Sequence, residues 1–205
     1  MTSDPLSGTE GYAEEADRLV RQYESLSFAD VHGSVFHLVP PSPARVLDIG
    51  AGTGRDAAAF AAMGHEVIAV EPTAALRLQA ATLHPSSRIE WIDDGLPEIA
   101  RLSDRAESFD LIMLTAVWMH LDPEQRRQAM PKVARLLRHP GVVILSLRHG
   151  PVPAGRRMFD VSAEETIALA AAEGLELALR IDKQPSQLGQ PGVHWTRLAF
   201  STPAT

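Results

Sequence analysis

One short stretch limits what this chain can become. Asp48-Ile49-Gly50-Ala51-Gly52-Thr53-Gly54 joins a short apolar run, Arg45-Val46-Leu47-Asp48-Ile49, to an alanine-rich segment from Arg55 to Met63. The first reads as a buried strand and the second as a helix, so the glycines fall in a strand-to-helix turn. Glycine lets the backbone turn tightly there and lets a ligand rest against the main chain. The helix that follows offers unpaired N–H groups at its start.

The rest of the chain keeps the alternation that such a turn belongs to. Gly64-His65 stops the helix, and Glu66 to Val70 reads as a second strand. A helix over Thr73 to Leu83, a strand over Arg88 to Ile92, a helix over Pro97 to Ser103 and a strand over Phe109 to Thr115 follow. Asp122-Pro123 opens a helix reaching about Leu137, because Asp is a good N-cap and Pro loses nothing at the first helical position. Val142 to Leu147 is a fifth strand. Ser162 and Glu165 then have the spacing of a capping box, opening a helix that Gly174 stops. Leu175 to Ile181 and His194 to Phe200 are joined by a loop too short for a helical crossover, so they should pair antiparallel. The expected fold is α/β: a doubly wound, mostly parallel seven-stranded sheet with an antiparallel C-terminal hairpin strand and helices on both faces.

Ahead of the first strand, apolar residues recur at helical spacing over Tyr12 to Glu24, and a second helix is expected over Ser27 to Val39 before Pro40, Pro41 and Pro43. Met1 to Gly11 has little to bury and reads as mobile. The chain divides as a cap or lid over residues 1–43, a ligand-binding half over 44–150 and a substrate-side half over 151–205, all within one domain.

Composition removes several classes of function. A formal charge of -7 lowers the case for a nucleic-acid partner, whose phosphates favour a basic face. There is no cysteine, so disulfides, thiolate nucleophiles and cysteine zinc sites are excluded. No histidine–carboxylate spacing suggests a metal. The N-terminus lacks the apolar core of a signal peptide, and no apolar run is long enough to span a bilayer, so a cytoplasmic location without membrane contact is expected.

The ligand can be narrowed by charge. A dinucleotide turn favours G-x-G-x-x-G, whereas this one reads G-x-G-x-G with Asp48 two positions earlier. A carboxylate at the mouth of the turn repels a pyrophosphate but suits a ligand bearing an ammonium and a sulfonium. Glu71, closing the next strand, is placed to accept both hydroxyls of a ribose.

These residues carry a resemblance. Val46-Leu47-Asp48-Ile49-Gly50-Ala51-Gly52-Thr53-Gly54 resembles the first motif of the class I S-adenosylmethionine-dependent methyltransferases, and Val67-Ile68-Ala69-Val70-Glu71 the second. Trp91-Ile92-Asp93-Asp94-Gly95-Leu96-Pro97 resembles the third. Phe109-Asp110-Leu111-Ile112 opens the fourth strand as that family does, and Leu136 to Val142 resembles its turn before the fifth. The resemblance implies S-adenosylmethionine as cofactor. Gly50, Ala51, Gly52, Thr53 and Gly54 would line its methionine part, Asp48 would orient its ammonium, Glu71 would hold the ribose and Pro72 would lie near the adenine. Either Asp93 or Asp94 would take the adenine amino group, with Ile92 packed on the ring, and Thr115 and Ala116 would border the transfer centre.

The acceptor side offers less. His120 and His149 are candidates for a base, since histidine changes charge near neutral pH, and a packing or capping role for His120 stays open beside it. Trp118 and Met119 would shape an apolar substrate pocket or else belong to the core. Arg148, Arg156 and Arg157 would clamp a carboxylate or phosphate on the substrate. Tyr12 is placed to touch cofactor or substrate, or to staple its helix to the core. The expected reaction is methyl transfer to a small-molecule acceptor; tRNA or protein as acceptor, a non-catalytic cofactor-binding module and a nicotinamide-dependent oxidoreductase are the rivals.

Overall fold

The computed structural model describes residues 8–203, so the expectation for Met1 to Ser7 lies outside the described residues. Seven strands form one sheet: β1 (Arg45–Ile49), β2 (Glu66–Val70), β3 (Ile89–Ile92), β4 (Phe109–Leu114), β5 (Leu137–His149), β6 (Glu176–Pro185) and β7 (His194–Ser201). Their order is β3-β2-β1-β4-β5-β7-β6. Pairs within the first five are parallel, and β7 runs antiparallel to both β5 and β6. Strand order therefore reverses between β1 and β4, where helices leave on opposite faces and a crevice opens at the carboxyl ends.

The central strands are apolar on both faces because both are covered. One face carries α2 (Phe28–His32) and α3 (Arg55–Ala62) over Val46, Val67, Leu111, Ile144 and Ala199. The other carries α5 (Pro123–Leu136) and α6 (Ala163–Ala172) over Leu47, Ile68, Ile112, Val143, Leu145 and Leu198. Arg126 of α5 is buried and donates to both carboxylate oxygens of Glu165 on α6 at 2.9 Å, which ties those two helices together. α5 starts on the expected Asp122 cap, with Gln125 completing a capping box, and α6 on Ser162. The remaining helices are α1 (Ala16–Tyr23) and α4 (Ala74–Leu83).

Several boundaries differ from the expectation. α1 begins at Ala16 and not at Tyr12; Gly11 at φ +75° holds a turn there, so Tyr12 lies on the approach to the helix. The stretch from Ser27 to Val39 divides into α2 and a 3-10 turn, Phe36–Leu38, and Phe36 points to solvent. Only a 3-10 turn, Ala100–Leu102, forms where a helix over Pro97 to Ser103 was expected, because Ile99 takes φ +41°. β6 runs on to Pro185 through a bulge with Lys183 at φ +56°.

Candidate active site

The carboxyl ends of β1, β4 and β5, together with residues of the N-terminal segment, line a cavity of about 680 Å³. Gly8, Tyr12, Glu15, Leu19 and Tyr23 lie on one side of it, and the turn after β1 on the other.

In that turn the three glycines have separate causes. A Cβ on Gly50 would meet Val117 Cγ2 at 2.5 Å, and one on Gly54 would meet Trp91 at 2.7 Å, so packing within the protein demands both. A Cβ on Gly52 would have no neighbour nearer than the Gly50 carbonyl at 3.9 Å, and Gly52 holds φ +57°. Its Cα therefore faces open cavity. Gly50, Ala51, Gly52 and Thr53 line the cavity and Gly54 does not. Thr53 donates from its hydroxyl to Glu24 at 2.6 Å, tying the turn to the end of α1.

Asp48 is buried, and one of its carboxylate oxygens has no partner among the described residues. Burial, together with the nearby Asp56, pushes its carboxyl well above the usual range. Glu71 is also buried, and burial raises its carboxyl too. One Glu71 oxygen accepts from the Gly52 N–H at 2.8 Å and the other from the Thr73 N–H at 2.7 Å. A carboxylate has about four acceptor sites, so each oxygen keeps a lone pair for a hydroxyl. Pro72 lines the cavity beside it.

The third expected cluster is placed elsewhere. Ile92, Asp93 and Asp94 are not in the cavity lining, where Gly95 and Leu96 stand instead. Asp93 pairs with Arg77 at 2.9 Å, and Asp94 accepts from the Gly95 and Arg101 backbone N–H groups at 2.8 and 2.7 Å. Both carboxylates organise the loop itself.

On the acceptor side Thr115, Ala116, Met119 and His120 reach the cavity. Ala116 holds φ +59° and donates its N–H to Ser146 Oγ at 2.8 Å. Strain of this kind in a non-glycine residue costs about 1–3 kcal/mol and collects at functional sites. Tyr12 Oη and His120 Nε2 are 3.0 Å apart, while His120 Nδ1 lies 2.8 Å from the Arg157 carbonyl. A carbonyl only accepts, so Nδ1 carries the proton, and the phenol donates to Nε2. Burial lowers the His120 pKa and raises that of Tyr12, which keeps both neutral at pH 7.

Three of the expected acceptor-side residues face away. Trp118 is fully buried in the core on the α5/α6 side and does not line this cavity. His149 follows Arg148 in β5, and alternate residues of a strand point to opposite faces; it stacks on His194 and meets Thr196 at 3.0 Å. Arg157 is drawn to Asp122 at 3.1 Å and Gln125 at 3.2 Å, outside the lining. Arg156 does line the cavity, but its guanidinium lies 4.0 Å over the Tyr12 ring and pairs with Glu15. The three-arginine clamp is therefore not assembled; Arg148 faces the cavity apart from the other two.

No local pattern announced a buried network next to Asp48. Asp56 accepts from His32 Nε2 at 2.7 Å, from Thr115 Oγ1 at 3.1 Å and from Arg55 at 2.8 Å. His32 Nδ1 in turn faces Arg197 at 3.3 Å. Arginine can only donate, which fixes the imidazole with its proton on Nε2. Burial alone would raise the Asp56 carboxyl, but His32 and Arg55 overcome it and hold it far below the usual range. Its charge stays beside Asp48 and adds to the burial that holds the Asp48 carboxyl up. The hint available in the sequence was Asp56 in the first turn of the helix after the glycines; nothing linked it to residues 32 and 197.

Similarity to known proteins agrees with this geometry. Residues 46–141 match the family model described as a methyltransferase domain. An uncharacterized methyltransferase of Bacillus licheniformis is 30% identical over 158 residues, 76% of this chain and 70% of the relative. A TehB-like SAM-dependent methyltransferase from Corynebacterium glutamicum superposes with a TM-score of 0.68 at 20% identity, covering 93% of this chain and 99% of that one. The 1,6-didemethyltoxoflavin-N1-methyltransferase of Burkholderia thailandensis, solved with 1,6-didemethyltoxoflavin and S-adenosylhomocysteine, superposes with a TM-score of 0.63 at 21% identity, covering 100% and 92%. The chain belongs to the class I S-adenosylmethionine-dependent methyltransferases. Its residues fit that cofactor: an unpartnered buried carboxylate oxygen for an ammonium, open space over Gly52, and spare lone pairs on Glu71. No described helix is long and apolar enough to cross a membrane.

Proposed function

We propose that the protein methylates a small-molecule acceptor inside the cavity, beneath a cap formed by the N-terminal segment. The observation that carries this is the Tyr12–His120 contact, 108 positions apart in sequence, which brings the N-terminal segment onto the end of β4. Close packing of the same segment supports it, since a Cβ on Gly8 would lie 3.1 Å from His120 Cβ. A polymer would have to displace these contacts, and three arginines it could seek are already paired: Arg18 and Arg156 with Glu15, and Arg157 with Asp122.

S-adenosylmethionine supplies a methyl group already activated on a sulfonium, so direct displacement needs alignment more than acid–base power. Asp48 would receive its ammonium and Glu71 its ribose hydroxyls, and Gly52 would leave room for its backbone. Where the acceptor carries an N–H or O–H, that bond breaks as the methyl–acceptor bond forms. Tyr12 Oη takes the proton while its own passes to His120 Nε2, and the imidazolium keeps its Nδ1–H on the Arg157 carbonyl. Thr115 and Ala116 border the reacting centre.

The test is transfer of a tritiated methyl group from S-adenosylmethionine into cell extract divided into dialysable metabolites, tRNA and protein. We expect label in the dialysable fraction. Label confined to tRNA or protein would overturn both the small acceptor and the closed cap.

A further inference from the structure

The cavity extends beyond the transfer centre along the sheet edge, and there it has a floor that the reaction above does not use. Arg148 of β5 and Gln184 of β6 are both direct cross-strand partners of Trp195 on β7. Direct partners in an antiparallel pair project to the same face, and all three line the cavity. The floor is thus a row: a guanidinium, an indole and an amide, on adjacent strands about 4.8 Å apart.

Two features mark this row as built for a ligand. First, the alignment of Gln184 depends on the β6 bulge, where β6 advances three positions (Ile181 to Gln184) while β7 advances two (Arg197 to Trp195). Lys183 takes φ +56° to make it. Without the bulge Lys183 would oppose Trp195 and Gln184 would turn to the other face. Second, the Gln184 side chain is incompletely satisfied: its Nε2 donates to Ser34 at 3.2 Å, but its buried Oε1 has no partner among the described residues. Such an atom costs about 1–3 kcal/mol unless something donates to it.

Arg148 differs from its neighbours in the same way. Arg156 and Arg157 are held by Glu15 and Asp122, whereas the one hydrogen bond of the Arg148 side chain, to the Gly150 carbonyl, is long at 3.5 Å. No carboxylate pairs with it among the described residues. A partly desolvated guanidinium facing a cavity fits a carboxylate or phosphate.

Resting on the small-acceptor reading, we infer that the acceptor is a planar aromatic or heteroaromatic molecule bearing an anionic group. Its anion lies on Arg148, its ring on Trp195, and a ring N–H or O–H donates to Gln184. An aliphatic anion would forgo the indole face, and a neutral ring would leave Arg148 without a partner. The same row explains why the sequence cluster of three arginines was misleading: the anion site is one arginine and two residues from the last strands.

The experiment first saturates the protein with S-adenosylhomocysteine and measures that affinity by titration calorimetry. The loaded protein is then titrated with 1-naphthoate, with 1-naphthamide as its uncharged counterpart, and with cyclohexanecarboxylate as an aliphatic anion. We expect naphthoate to bind at least about fivefold more tightly than either, a difference near 1 kcal/mol. Arg148→Met should abolish the preference for naphthoate over the amide, and Trp195→Leu the preference over cyclohexanecarboxylate, with S-adenosylhomocysteine affinity unchanged in both. Loaded wild-type protein that ignores naphthoate, or binds all three alike, overturns the inference and leaves methyl transfer standing. Arg148→Met protein that still binds the cofactor product and still prefers naphthoate overturns it equally.

Discussion

The two ends of the cavity are made from different kinds of material. The cofactor end comes from β1, β2 and the turns that leave them, so Asp48, Gly52 and Glu71 fall within one short stretch of chain. The acceptor end gathers Tyr12 with His120, and Arg148 with Trp195 and Gln184. The first pair spans 108 positions. A local unit can bind the same cofactor whatever the rest of the chain does. An acceptor site assembled from distant segments can change when any one of them changes, so one fold can serve many acceptors.

That division also decides what could be read without a structure. Strand–turn–helix spacing identified the glycine turn, and charge at its mouth identified the class of ligand. Alternation of elements predicted the sheet and its C-terminal hairpin. Spacing failed where a side chain's direction depends on its neighbours in space. His149 and Arg148 are adjacent in sequence yet face opposite sides of the sheet. Asp93 and Asp94 carry the expected chemistry, but Arg77 and two backbone N–H groups draw them into the loop. The His32–Asp56–Arg197 network joins three elements that no local pattern connects.

Substitutions at the two ends should impair different properties. The largest effect is expected at the glycine turn. Gly52→Val puts a branched side chain into space bordered on the protein side only by a carbonyl at 3.9 Å. Affinity for S-adenosylhomocysteine should fall by roughly 100-fold or more, with the circular dichroism spectrum retained. Gly54→Ala sharpens the contrast, because its Cβ meets Trp91 at 2.7 Å; thermal stability should fall before cofactor binding does.

At the acceptor end the effect belongs to turnover. Replacing His120 by Gln removes the proton acceptor and should lower kcat by about 100-fold, with cofactor affinity unchanged. The wild-type pH profile carries a matching sign. Burial depresses the His120 pKa below its ordinary 6.5, so the neutral, proton-accepting form persists as pH falls past that value. The acid limb of kcat should therefore lie below pH 6.5 and be missing from the variant. A limb above 6.5, or one that survives the substitution, would remove His120 from the reaction.

The local character of the cofactor end is tested most directly at Glu71. Its two oxygens already accept the Gly52 and Thr73 N–H groups and retain lone pairs for two ribose hydroxyls. Each charge-assisted bond is worth about 1.5–3 kcal/mol. Calorimetric titration of S-adenosylhomocysteine into Glu71→Ala protein should give a dissociation constant at least about tenfold above that of the wild type. A dissociation constant equal to that of the wild type would contradict the assignment of this carboxylate, and with it the cofactor end as described.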